Sequence, residues 1–585
     1  MLAKISRASA FGARASLLVL GALTISYAQT TQQDAPRLEV SLKPSVNTTH
    51  DSIDAVDVTI RVSGLKTVPG SPLLQLPLVI YNVETVAKTL EGLSATDQRG
   101  ALQLSVRDDP EGGHDFNRHW VADRSVEGSL VVHYRAPISK RLAPLGGAPP
   151  LELRADGAAF SAGGAAFLAV PATQEAYRLA LHWDLSNLPA GSVALSSLGG
   201  GDAQSTGPVS LDHLSRSFFM AGQVGSYPLP LPKTGYFSAW QGTPPFDAPK
   251  LMKWTGDLHE HFAVFFKEHA PTPYGVFLRP NPVNPGGGVS QDHSFVATYD
   301  TNTLERDLKL TLSHEMLHTY IGGLGSHEDG NLDDSWFSEG LAVYYQRTLP
   351  LRFGQISAAD FLADLNKTAG RYYTDALANT PNSEIPAHFW SNTLIRVLPY
   401  DRGALYFAAV NDEIRKASHG KRSLDDLVLE ILHGREEKGD VHRADWQNII
   451  KHELGQAGLN DFQSMLAGKQ ILPASDAFGA CFRRTTKSLR RYELGFDPRV
   501  MAERSRIIRG LMAQSAAARA GLKNGDEILK PFGQDAVQEN QTKTITVNVR
   551  REGKELSITY LPRGDTVQAY QWQRAPNTAD AECLN

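Results

Sequence analysis

The residues best placed to do chemistry lie near the middle of the chain, in Leu312-Ser-His-Glu-Met-Leu-His-Thr-Tyr320 and, shortly after, Trp336-Phe-Ser-Glu-Gly340. His314 and His318 are four apart, so on a helix they stand one turn above each other on one face. Two neutral imidazoles there can hold Zn²⁺ at about 2.0–2.1 Å each, with Glu315 beside the metal. A third ligand is needed. Glu339 supplies it in this reading: it opens a second apolar helical run, Gly340-Leu-Ala-Val-Tyr-Tyr345, and twenty residues separate it from His318. Three protein ligands leave the fourth tetrahedral position to water, as hydrolytic chemistry requires. His327, Glu328, Asp333 and Asp334 lie in the intervening loop as competing ligands, and Glu339 is preferred because a helix fixes it. One of the loop acids is expected to accept a hydrogen bond from a metal-bound imidazole.

An isolated H-E-x-x-H recurs by chance in long chains. Here 304–321 is helix-compatible throughout, with no Pro or Gly before Gly322, and the second motif adds a carboxylate in its own helical context. The elements that must position these groups are read from the flanking patterns. From 37 to 243 alternating apolar and polar runs, such as Val56-Asp-Val-Thr-Ile-Arg-Val62, predict one β-rich N-terminal domain. An amphipathic helix follows over 251–269, whose histidines 259, 261 and 269 are assigned to an exposed face. Two strand-like runs then flank Gly286-Gly-Gly288. Helices are predicted at 357–369, 402–416, 424–432 and 446–454 within a mainly helical domain over 244–475.

With 585 residues the chain holds several domains. Its 42% apolar and 21% charged composition is that of a soluble globular protein, and with a formal charge of −5 nothing points to a nucleic-acid partner. Residues 1–28 read as a signal peptide: Lys4, Arg7 and Arg14 precede or border the apolar core Ala15–Ile25, and Ser26-Tyr27-Ala28 resembles a cleavage site. That core is shorter than the roughly 20 residues a span needs, so no transmembrane segment is expected and the mature protein is read as periplasmic or secreted. Cys481 and Cys583 are expected to form one disulfide.

His314-Glu-Met-Leu-His-Thr together with Trp336-Phe-Ser-Glu-Gly-Leu resembles the gluzincin peptidases, and most closely the glycyl aminopeptidase family. The resemblance implies a multidomain α+β chain with a β-rich N-terminal domain, a thermolysin-like, mainly helical zinc peptidase domain and a C-terminal PDZ-like β domain, here over 485–570. It implies one Zn²⁺, a peptide or protein substrate, Glu315 as general base, and Tyr400 of Leu398-Pro-Tyr-Asp-Arg-Gly403 as donor to the oxyanion, with Tyr372 and Tyr373 as fallbacks. In that family a Glu-His pair just after Gly-Gly holds the substrate's α-ammonium. Here Gly287 and Gly288 are present but the Glu is absent, and Asp292-His293 is the nearest equivalent, so Asp292 is the expected anchor.

Tyr492-Glu-Leu-Gly-Phe496 and Ser515–Leu529 carry the PDZ resemblance, with a possible weak capture of peptide C-termini. Only Gln538–Lys543 is available for the second groove helix, which favours a structural or cleft-covering role. An endopeptidase using the same site, and a binding protein with a relict zinc site, are the competing functions.

Overall fold

Apolar residues at every second position of Arg37–Val46 and Ile53–Val62 make these strands pair antiparallel with one face buried: Leu38, Val40 and Leu42 lie opposite Val62, Ile60 and Val58. They are the middle of a seven-stranded sheet, which a four-stranded sheet accompanies. The computed structural model describes residues 36–583 except 48–51, 82, 111–115, 140–148, 269–271, 326–331, 504, 531 and 580–582. The leader over 1–28, His269, His327 and Glu328 therefore lie outside the described residues.

A third N-terminal sheet, containing Ala159–Gly163, Val193–Ser196 and Phe218–Gly222, faces the sheet that carries the site. The latter is built from β1 (Gly225–Tyr227), β2 (Gly235–Trp240), β3 (Pro273–Pro280), β4 (Gly288–Gln291) and β5 (Ser294–Tyr299), in the order β1-β2-β3-β5-β4. β2, β3 and β5 run parallel and β4 is an antiparallel edge strand. Leu195, Phe218 and Met220 of the N-terminal sheet share one buried layer with Phe237, Phe277 and Val296 of this one. Residues 225–240 supply two strands of the central sheet, and the stretch after Gly288 forms its edge strand.

Helices cover the other face of the central sheet. α1 (Ala248–Phe265) is capped by Asp247, and α2 (Glu305–Ile321), α3 (Ser335–Arg352), α4 (Ala358–Thr374) and α5 (Leu398–Ala417) follow. Ser357 and Asp360 form a capping box at the start of α4, one reason that this helix begins where the sequence places it. Leu312, Met316, Trp336, Phe337, Leu341, Phe407 and Trp446 belong to one buried cluster beneath the site. His259 is not on an exposed face. It is buried against Tyr274, ring centroids 4.5 Å apart, and burial lowers its pKa to about 4, so it stays neutral. His261 stacks on Phe353. Among the described residues no helix is long and apolar enough to cross a membrane.

The C-terminal region is anchored by a ribbon of Phe482–Tyr492 paired with Arg563–Arg574. It lies on α4: Phe482 stacks on Phe361, and the Asn366 side chain exchanges hydrogen bonds with the backbone of Trp572 in both directions. The predicted hairpin forms, Ile545–Arg551 with Lys554–Tyr560. The helical turn just before it is Asp535–Gln538 rather than 538–543. Cys481 and Cys583 are bonded, closing a loop of 102 residues. Non-reducing peptide maps should therefore recover the two cysteines in one linked fragment. Reduction should cost about 2–4 kcal/mol of stability, seen as a lower thermal midpoint.

Candidate metal centre

α2 presents His314 and His318 on one face, as their spacing requires, and α3 brings Glu339 to them. The nitrogen and oxygen atoms that would bind a metal form a small triangle. His314 Nε2 and His318 Nε2 are 3.1 Å apart, and Glu339 Oε2 lies 3.2 Å from the first and 3.4 Å from the second. Ligand atoms each about 2.0–2.1 Å from one tetrahedral ion are themselves about 3.3 Å apart. Two imidazoles and a carboxylate in that triangle fit Zn²⁺ in both donor type and spacing. The three side chains are only 12, 17 and 21% exposed, which leaves one open side.

The partners of the ligands differ from expectation. His314 Nδ1 lies 3.0 Å from Gln346 Oε1, one helical segment past Glu339 on α3. Gln346 Nε2 donates to Asp364, which fixes the amide orientation and makes Oε1 the acceptor. Nδ1 of His314 therefore carries the proton, and Nε2 offers its lone pair to the metal. The partner of His314 is thus an amide of α3 and not a loop acid. Asp334 instead accepts from Trp336 Nε1 and Arg443 Nε. Gln346 was not singled out in the sequence, though its place two turns after Glu339 was a usable signal.

Glu315 is 8% exposed, and burial raises its carboxyl pKa, opposed by the two histidines. A raised pKa suits a group that must accept and then return a proton. Tyr400, in the first turn of α5, stacks beside His314 with centroids 6.0 Å apart. Burial first, and then Glu339 and Glu315, hold its hydroxyl well above the ordinary range, so it remains a donor. Tyr372 and Tyr373 are elsewhere: both hydroxyls bond the backbone of Ile471.

Glu339 and Tyr400 are set by a helix crossing. A methyl group at Gly340 would lie 2.6 Å from Gly403 Cα, and one at Gly403 would lie 2.5 Å from the Trp336 carbonyl oxygen. α3 and α5 therefore touch backbone to backbone, one residue after Glu339 and three after Tyr400.

β4 forms the opposite wall. A methyl group at Gly288 would lie 2.6 Å from Glu315 Cγ, so the strand's backbone passes directly over the general-base candidate. Gly286, at φ +80°, turns the chain into β4, and its carbonyl accepts from Thr311 on α2. Gly287 contributes its carbonyl to Thr298 N–H. Asp292 is not brought to the metal. It stands four residues beyond Gly288, about 13 Å along an extended strand. There its carboxylate pairs with His213 and its N–H donates to the Arg216 carbonyl. The loop carries the acid past the site, which nearness in sequence to Gly-Gly could not reveal. On the face of β4 shared with Gly288 the next residue is Ser290.

Three outcomes should follow. Ala at His314, His318 or Glu339 should empty the site of zinc by metal analysis, whereas Glu315→Gln should keep it. Gly288→Ala should also keep zinc while lowering turnover about 100-fold, because the new methyl displaces Glu315. Gly403→Ala should lower both zinc occupancy and thermal midpoint, since the crossing cannot admit a Cβ without moving α3.

Neither a family model nor a curated protein matches the chain. Solved structures do. An aminopeptidase N family protein from Idiomarina loihiensis is 15% identical, with 94% of this chain and 99% of that chain covered and a TM-score of 0.65. An M1 zinc metallopeptidase from Deinococcus radiodurans is 15% identical over 75% of this chain and 96% of its own, with a TM-score of 0.46. Leukotriene A4 hydrolase from yeast is 13% identical over 75% and 69%, with a TM-score of 0.44. Across nearly its whole length, the chain shares the fold of the Idiomarina protein.

Proposed function

We propose that the chain is a zinc metallopeptidase that hydrolyses peptide bonds, with an aminopeptidase as the favoured form. The observation that carries this is the triangle of His314, His318 and Glu339 with Glu315 beside it. Zinc bound there supplies a Lewis acid and lowers the pKa of a bound water toward about 7. Glu315 takes the water's proton and delivers it to the leaving amine. Tyr400 donates its hydroxyl to the oxygen on which negative charge develops. Gln346 keeps His314 in the right tautomer, and the backbone at Gly287 and Gly288 lies along the substrate. The same arrangement of edge strand and paired helices supports a thermolysin-like reading of this part.

The fold shared with a protein named for the aminopeptidase N family supports the exopeptidase form. An endopeptidase is favoured by a different observation: the edge strand offers Ser290, not a carboxylate, on its cleft face. An α-ammonium held by neutral oxygens is anchored weakly, so selectivity for a free amine should be modest. The C-terminal region is read as PDZ-like with a structural role, because the turn Asp535–Gln538, which stands where a second groove helix would be, is engaged elsewhere. Thr393 and Arg396 hold Asp535, and Gln538 donates to Thr393. The apolar leader over 1–28 and the disulfide support export to the periplasm or medium.

Free and N-acetylated forms of one peptide series, digested by the zinc-loaded protein and read by mass spectrometry, decide between the forms. Faster cleavage of the free amine, with loss of single N-terminal residues, is expected. Equal cleavage at internal bonds would establish the endopeptidase. No cleavage with zinc bound would leave the binding-protein reading.

A further inference from the structure

Three consecutive residues of the C-terminal region, Gly533, Gln534 and Asp535, bridge the two walls of the metal cleft. Gly533 stands against the wall built around β4. A methyl group there would lie 3.1 Å from Asn284 Oδ1 and 3.7 Å from the Val283 carbonyl oxygen. The same Asn284 amide touches a glycine of the site, since a methyl group at Gly287 would lie 2.8 Å from its Nδ2. Asn284 is thus held between Gly533 and Gly287, and the next residue, Gly288, is the one that passes over Glu315. Its backbone is pinned as well: the carbonyl accepts from Thr298 on β5 and the N–H donates to Asn281. Asp535 is held by the other wall. Its carboxylate accepts from Thr393 and, at 2.7 Å, from Arg396 Nη2, both on the helical turn that leads into α5. Arg396 stands four residues before Tyr400. Further along, Glu539 accepts from Arg371 of α4.

Two steps of chain span at most about 7 Å. Gly533 to Asp535 therefore crosses directly from the Gly287 wall to the Tyr400 wall, and the cleft is shut at that end. What matters in this contact is its place. The Thr298 N–H is taken by the Gly287 carbonyl, so the N–H and C=O groups of Gly288 and Ser290 face the free edge of β4, by the alternation of an antiparallel pair. An extended peptide can pair along that edge, and antiparallel pairing is the more stable form. Such a peptide runs from the Asp292 end of β4 past Gly288 and Glu315 to Gly287, and then meets Gly533. From Glu315 to the bridge is a distance of about two extended residues, at about 3.4 Å each.

We propose that Gly533–Asp535 is a stop on the carboxyl side of the cleaved bond, which leaves room there for about two substrate residues. The enzyme then takes short peptides rather than long or folded chains. This rests on the peptidase reading. It assigns selection by length to the C-terminal region, while the cleft face of β4 offers only the neutral Ser290. The stop is steric, and its strength depends on how firmly each end is fastened. Asn284 fastens it to the strand wall, and Asp535 fastens it to the helical wall.

The test is kcat/KM for peptides with one fixed residue before the cleaved bond and one to six after it. Wild type, Asn284→Ala, Asp535→Ala and the double variant are compared, all with measured zinc content and thermal midpoint. Each value is divided by the same protein's value on the shortest peptide, which removes any general loss at Tyr400. Wild type should fall about tenfold between two and four residues after the bond, mainly through KM, and the double variant should regain most of that loss. A flat wild-type profile, or a profile that the variants leave unchanged, would overturn the stop. Should Asp535→Ala not fold, Asn284→Ala carries the comparison from the other wall. If wild type hydrolyses none of the series, the peptidase reading fails. Affinity of the same peptides for zinc-loaded Glu315→Gln then decides the stop separately. Affinity that falls with length and recovers with Asn284→Ala keeps it, and affinity blind to either removes it.

Discussion

Two glycines facing each other set the geometry on which the rest of the site depends. Where α3 crosses α5, Gly340 and Gly403 permit a backbone approach that any Cβ would forbid. Helices kept apart by side chains pack with axes about 8–10 Å apart, and each added carbon pushes them further. Glu339 is adjacent to one glycine and Tyr400 is within a turn of the other. The position of the carboxylate relative to the imidazoles, and of the phenol relative to His314, is thus inherited from one contact. Beneath it the aromatic cluster of Trp336, Phe337, Phe407 and Trp446 leaves little room for the crossing to relax.

The other wall is positioned from further away. β4 is an edge strand, and its place over Glu315 depends on β5 beside it and on the hydrogen bond from Thr311 to Gly286. The sheet in turn is fixed by the apolar layer it shares with the N-terminal region. The β-rich region therefore acts at a distance: its described residues supply none of the three candidate ligands, yet it sets the height of the strand that passes over Glu315.

Much of this could be seen in the chain alone, for identifiable reasons. His314, His318 and Glu315 share a helical period, and Glu339 opens an uninterrupted apolar run, so local rules were enough to bring them together. The helices, the last hairpin and the cysteine pair were similarly local or countable. What escaped depended on contacts between distant segments. Gln346 matters only because α3 turns that face to His314. Asp292 looked suitable because it follows two glycines, but a strand carries it to His213. His259 sits in an amphipathic helix whose polar side is covered by Tyr274. The glycines of the second motif and of Asp401-Arg-Gly403 were visible as letters. That they touch each other was not.

The charges that tie the C-terminal region to the helical part have a thermodynamic consequence. Arg371 holds Asp401, the residue after Tyr400, with one edge of its guanidinium and Glu539 with another nitrogen, while Arg396 holds Asp535. Asp535 and Arg396 both act on the Tyr400 hydroxyl, with opposite signs. Whatever draws Asp535 away from Arg396 alters the electrostatic field at Tyr400. By linkage, whatever occupies the cleft against Tyr400 alters the affinity for that event by the same factor. The two regions therefore share one free-energy surface, and neither can be occupied, cut away or replaced without the other registering the change.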